Sequence, residues 1–116
     1  MKVEKWISYR EAEDLPEAPI GGLGGWFNWS EKGQRWQDYL DDWNEEVHPY
    51  LEAFRESVLE LQIRFCGDYH QSGRDGVPLF DDGTVATFSY RAWGDIMAAI
   101  WSEEDGIDYN YMAFYM

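Results

Sequence analysis

The sequence predicts an α+β fold: an antiparallel sheet of three or four strands with two to three helices packed on one face. Three observations carry this. An apolar stripe runs at helical spacing from Trp36 to Leu61. The period then shortens to two around Leu61. Farther on, an Asp-Asp-Gly turn separates two apolar runs in the manner of a β-hairpin. A length of 116 residues fits one domain spanning 1–116.

Residues 3–9, VEKWISY, alternate loosely and fit a strand or a short helix. Residues 11–25 read as one long loop. It carries Glu11, Glu13, Asp14 and Glu17, then Pro16 and Pro19, then Gly21-Gly22-Leu23-Gly24-Gly25. A loop of this length without structure of its own is often functional. It is not a phosphate loop, because no Gly-Lys-Ser/Thr follows.

Ser30 is an expected N-cap, with Glu31 in the first turn. The stripe Trp36, Leu40, Trp43, Val47, Leu51, Phe54, Val58 and Leu61 steps by three and four. Pro49 interrupts it by removing a backbone donor and crowding the carbonyl of Glu45. Two helices at about 31–46 and 49–60 are preferred over one kinked helix. Leu59, Leu61, Ile63 and Phe65 then alternate with Glu60, Gln62, Arg64 and Cys66, as in a half-buried strand.

Gly67 to Gly76 is a polar loop. Val77 to Phe80, Asp81-Asp82-Gly83 and Thr84 to Tyr90 form the expected hairpin, with Pro78 placing its first arm at an edge. Ser89 caps a third helix at about 91–102, with Trp93, Ile96, Met97, Ile100 and Trp101 on its apolar side. Asp105-Gly106 turns the chain into a last strand, Ile107 to Tyr115, rich in aromatics on both faces.

Composition narrows the function. There are 23 Asp and Glu against 9 Lys and Arg, a net charge of −14. The same chain holds 7 Trp, 8 Tyr and 6 Phe. Disordered acidic tails lack such aromatics. Direct nucleic-acid binding through a basic face is not expected, since the phosphate term needs Lys and Arg. No stretch approaches the roughly 20 apolar residues of a membrane helix. The N-terminus MKVEKWISYREAED has no apolar signal region, and Cys66 is the only cysteine. A cytoplasmic location is therefore expected. The charge is distributed: residues 1–60 hold 14 acids and 6 bases (−8), and residues 61–116 hold 9 and 3 (−6).

Catalytic and metal patterns are weak. Cys66, Asp68 and His70, with His48 at a distance, lack the paired spacing of zinc sites, so a buried thiol beside a polar turn is the simpler reading. Among so many acids some pair would meet a glycosidase separation by chance. No nucleophile elbow occurs. No Asp-x-Asp-x-Asp-Gly calcium loop occurs. No catalytic residue, metal or cofactor is expected.

The acids on the helix pair lie away from the apolar stripe: Asp38, Asp41, Asp42, Glu45 and Glu46, then Glu52, Glu56 and Glu60. Steps of four residues repeat a carboxylate roughly every 6 Å. Like charges at that spacing destabilise a helix, and only Arg35, Arg55 and Arg64 stand near. Such an array imitates a nucleic-acid backbone and is drawn to a basic groove. Binding also needs desolvated anchors, for which Trp and Tyr serve best. Trp26, Phe27 and Trp29 after the glycine loop are candidates, with Tyr69 another.

This profile is similar to small acidic phage proteins that block bacterial defence, the anti-CRISPR and DNA-mimic inhibitors. The resemblance rests on size, charge and the acidic helices carrying Asp38, Asp41, Asp42, Glu45 and Glu46, with no motif behind it. It implies a non-enzymatic protein whose partner is a basic nucleic-acid-binding defence effector or nuclease. An immunity protein that neutralises a nuclease toxin has the same profile and is the alternative. A small enzyme or metal-binding protein comes third.

Overall fold

A capping box sets the N-terminal geometry. Ser8 Oγ accepts from the Glu11 backbone N–H at 3.1 Å, and Glu11 Oε1 accepts from the Ser8 N–H at 3.2 Å. This ends strand β1 (Val3–Ile7) and starts the short helix α1 (Tyr9–Ala12). In the computed structural model, residues 1–20, 36, 45–63, 76–87 and 90–107 are described, with side chains in 90–95 left aside. A 3-10 turn, Glu45–Val47, leads into helix α2 (His48–Leu61). Strand β2 (Val77–Phe80) and helix α3 (Tyr90–Asp105) follow.

Pro49 opens α2, where its missing N–H has no carbonyl to meet. Two separate helices were expected here; the second is observed, starting one residue early. Of the first, 31–35 and 37–44 lie outside the described residues. The strand expected from Leu59 to Cys66 is overturned over 59–63. Leu59 and Leu61 are helical, and α2 ends at Gln62 in the left-handed region (φ 55°, ψ 41°). The Gln62 N–H reaches Leu59 O and the Ile63 N–H reaches Val58 O, which closes a Schellman motif. The period-two pattern did not report burial, because Leu61 is 55% exposed.

β1 and β2 pair antiparallel, with Val3 opposite Phe80, Lys5 opposite Leu79, Trp6 opposite Pro78 and Ile7 opposite Val77. A bulge between Val3 and Lys5 inserts one residue. That insertion places Val3 on the same face as Trp6, since side chains otherwise alternate. Val3, Trp6 and Phe80 join the main core, while Ile7, Val77 and Leu79 join a second, smaller cluster with Ala12 and Val85. Trp6 Nε1 donates to Ser57 Oγ at 2.7 Å, and its ring meets Phe54 with centroids 5.8 Å apart.

The expected sheet of three or four strands is corrected to two among the described residues. The hairpin turn is present. Gly83 has φ +88°, its N–H reaches Phe80 O at 3.0 Å, and the Phe80 N–H reaches Thr84 O at 2.8 Å. The second arm does not extend into a strand. Val85 makes single bridges, antiparallel to Leu79 and parallel to Glu17, and the chain is helical from Tyr90. Pro78, expected at an edge, lies between β1 and this bridge and accepts from the Ala86 N–H through its carbonyl. The helices do not share one sheet face: α2 packs on the Trp6 side and Ala12 of α1 on the other. The expected loop at 11–25 is helical through Ala12; 21–25 lie outside the described residues.

α3 buries every residue from Ile96 to Ser102, alanines included. A helix apolar all round belongs at the centre of a fold, and Ile96, Met97, Ile100 and Trp101 pack there with Leu51, Phe54 and Val58 of α2. Trp101 Nε1 donates to Ile63 O at 2.9 Å, tying α3 to the end of α2. Gly106 (φ +70°) closes α3 through its N–H to Ser102 O. Of the last expected strand, Ile107 is 54% exposed in a bend and 108–116 lie outside the described residues.

Candidate functional site

The inner side of α2 is set by Leu51, Ala53, Phe54 and Val58, all buried. This fixes which side faces outward. Glu52, Glu56 and Glu60 are exposed. They succeed one another at about 6 Å along the axis. Glu45 and Glu46, on the preceding 3-10 turn, are exposed too. Between 45 and 63 the only Lys or Arg is Arg55. Its guanidinium carbon lies 5.7 Å from the centroid of the Trp36 ring. Trp36 is 3% exposed, and its Nε1 donates to Glu52 Oε1 at 3.4 Å. One carboxylate of the row is thereby held from below by a core side chain.

Four of the expected contact residues, Glu45, Glu46, Glu52 and Glu56, therefore stand on one element and its lead-in. Asp38, Asp41 and Asp42 lie outside the described residues, as do Trp26, Phe27, Trp29 and Tyr69. Tyr9, 49% exposed on α1, is an outward aromatic that the sequence reading passed over.

The structure adds two acids. Asp81 and Asp82 are exposed in the turn after β2, and Tyr50 in the first turn of α2 reaches Asp82 Oδ2 at 2.5 Å. The turn therefore sits beside the first turn of α2. Asp82 Oδ1 also accepts from the Thr84 N–H at 3.0 Å and the Thr84 hydroxyl at 2.6 Å. Burial pushes the Asp82 carboxyl up, but the hydrogen bonds from Thr84 and Tyr50 outweigh it and hold it below its ordinary value. The bond to Asp82, with some burial, pushes the Tyr50 phenol up. Asp81 binds the chain start, accepting from the Lys2 N–H at 3.1 Å while the Asp81 N–H reaches Lys2 O at 2.9 Å. The sequence signal was the Asp-Asp-Gly itself, read only as a turn.

Glu17 accepts from both the N–H and the hydroxyl of Thr87, so this acid is tied down. Among the described residues no three His, Cys, Asp or Glu side chains group to hold a metal. Cys66, Asp68 and His70 lie outside them, and His48 is half-buried at the start of α2. Among the same residues no helix is long and apolar enough to cross a membrane. No protein-family model, no curated protein and no solved structure matches the chain.

Proposed function

We propose that the protein is a non-enzymatic acidic inhibitor that occupies the nucleic-acid site of a basic nucleic-acid-binding protein. The reading is of the anti-CRISPR and DNA-mimic kind, acting in the cytoplasm of a host bacterium. One observation supports it most: Glu45, Glu46, Glu52, Glu56 and Glu60 are all exposed on α2 and its lead-in, with Arg55 the one base among them. Helix geometry keeps the backbone positions of Glu52, Glu56 and Glu60 at fixed spacing, so the backbone beneath the row needs no ordering when a partner lined with Lys and Arg binds. Fixed like charges that destabilise their own helix are better suited to a cationic groove than to water alone.

The test is competition. Basic effectors of bacterial defence, CRISPR nucleases first, are titrated with the protein in the presence of labelled duplex DNA at several salt concentrations. The expected result is DNA displacement that weakens steeply with salt. Reversing Glu45, Glu46, Glu52 and Glu56 to Lys should abolish it. Reversing Glu103 and Glu104, exposed on α3, should cost much less. Equal losses per reversed charge from the two sets would show bulk charge at work and reject α2 as the contact.

A further inference from the structure

Glu52 and Arg55 stand three residues apart on α2, a spacing at which opposite charges normally meet. Here both turn to Trp36. Its indole N–H holds Glu52 Oε1 at 3.4 Å, and its ring face takes the Arg55 guanidinium at 5.7 Å. Arg55 Nε is buried and has no hydrogen-bond partner, so it does not donate to Glu52. An indole suits this division, because its face is negative and its edge carries a donor. Being only 3% exposed, the ring is fixed by the core.

We propose that Trp36 is a positioning residue for the acidic face. By drawing Arg55 onto its ring and holding Glu52 at its edge, it prevents an Arg55–Glu52 ion pair and leaves the Glu52 charge available to a cationic partner. The proposal rests on reading α2 as the contact for such a partner. Without the indole, Glu52 and Arg55 would close on each other and the row would lose a charge near its middle.

Two double-mutant cycles test this, with a deca-arginine peptide as the cationic probe, titrated by calorimetry at low salt. Glu52→Gln should weaken binding roughly twofold to fivefold, the range of one exposed ion pair. Trp36→Phe keeps a ring in the core, removes the donor and holds a cation less well. It should weaken binding when Glu52 is present and change nothing once Glu52 is Gln. An equal Trp36→Phe loss in both backgrounds would assign Trp36 a packing role only and overturn the proposal. Arg55→Gln gives a second cycle with Trp36 intact, informative even if Trp36→Phe fails to fold. Glu52→Gln should cost the same with or without Arg55; a larger cost without it would mean that Arg55 already neutralises Glu52. Glu56→Gln separates the two levels of argument. If it weakens binding and Glu52→Gln does not, the positioning role fails and the acidic face stands. If neither does, the acidic face itself is rejected.

Discussion

Tyr50 donates its phenolic hydrogen to Asp82 across 2.5 Å, joining the first turn of α2 to the turn after β2. The same ring meets Phe80 edge-on, with centroids 5.1 Å apart and planes at 88°. Tyr50→Phe keeps the ring and removes the hydroxyl. Near the surface that should cost about 0.5–1 kcal/mol. Tyr50→Ala also loses the edge contact and should cost at least another ~1 kcal/mol. Denaturant midpoints at neutral pH measure both. Equal losses would mean that the hydroxyl carries the whole contribution of Tyr50.

The same pair sets how stability responds to pH. Asp82 titrates below its ordinary value of 3.8 in the folded chain. Its contribution is therefore complete above that value and is lost as pH falls through the folded one. Tyr50 titrates above its ordinary 10.0. Its contribution is complete below 10.0 and is lost as pH rises toward the folded value. Glu11, held low by the backbone and hydroxyl of Ser8, adds to the acid limb. Unfolding free energy measured across pH should fall at both ends. Asp82→Asn should flatten the acid limb and reduce the alkaline one. An alkaline limb unchanged in Asp82→Asn would break the assigned link to Tyr50.

Local rules made α2, α3 and the second strand legible, but neither α1 nor the number of strands in the sheet. The 3-4 spacing of Leu51, Phe54 and Val58 located α2, and Pro49 marked its start. The Asp-Gly signals located both turns. The end of α2 was misread because Leu59, Leu61 and Ile63 satisfy period two as well as the helix does, and only tertiary burial separates the readings. The sheet failed for a similar reason. Val85 carries a strand-like sequence but pairs at a single position on each side, which is set by where the Glu17 segment passes and not by its own residues. At the candidate site, the outward direction of Glu52 and Glu56 followed from the stripe. The contacts with Trp36 and Tyr50 did not, because they join residues 16 and 32 positions apart and leave no local pattern.

Gln62 occupies a left-handed conformation that glycine adopts freely. Gln62→Gly should remove backbone strain of about 1 kcal/mol. It also loses the bond from Gln62 Nε2 to Leu59 O, worth about 0.5 kcal/mol at the surface. The net effect should be a small stabilisation, raising the thermal midpoint by a few degrees. Gln62→Val, with a branched β-carbon, should instead destabilise by more than ~1 kcal/mol. The order Gly, Gln, Val in thermal midpoint is the check. A Val variant as stable as the parent would mean that α2 does not end in this conformation.

Glu56 stands one helical step from both Glu52 and Glu60, with all three side chains exposed. Each of the two like-charge pairs should cost about 0.2–0.5 kcal/mol. Glu60 adds to the strain, since a negative charge in the last turn opposes the helix dipole. Glu56→Gln removes both pairs while leaving size and shape unchanged, so it should stabilise the protein by roughly 0.4–1 kcal/mol at low salt. The gain should shrink near 1 M salt, where the screening length falls to about 3 Å. The same substitution should weaken binding to a cationic partner, so stability and affinity should move in opposite directions. Both effects follow from the same like charges, which repel one another and attract a cationic partner. Urea unfolding of Glu56→Gln at low and high salt, beside the peptide titration, measures both. If the variant is less stable at low salt, the carboxylates of α2 do not repel one another, and the case for a strained acidic face loses its physical basis.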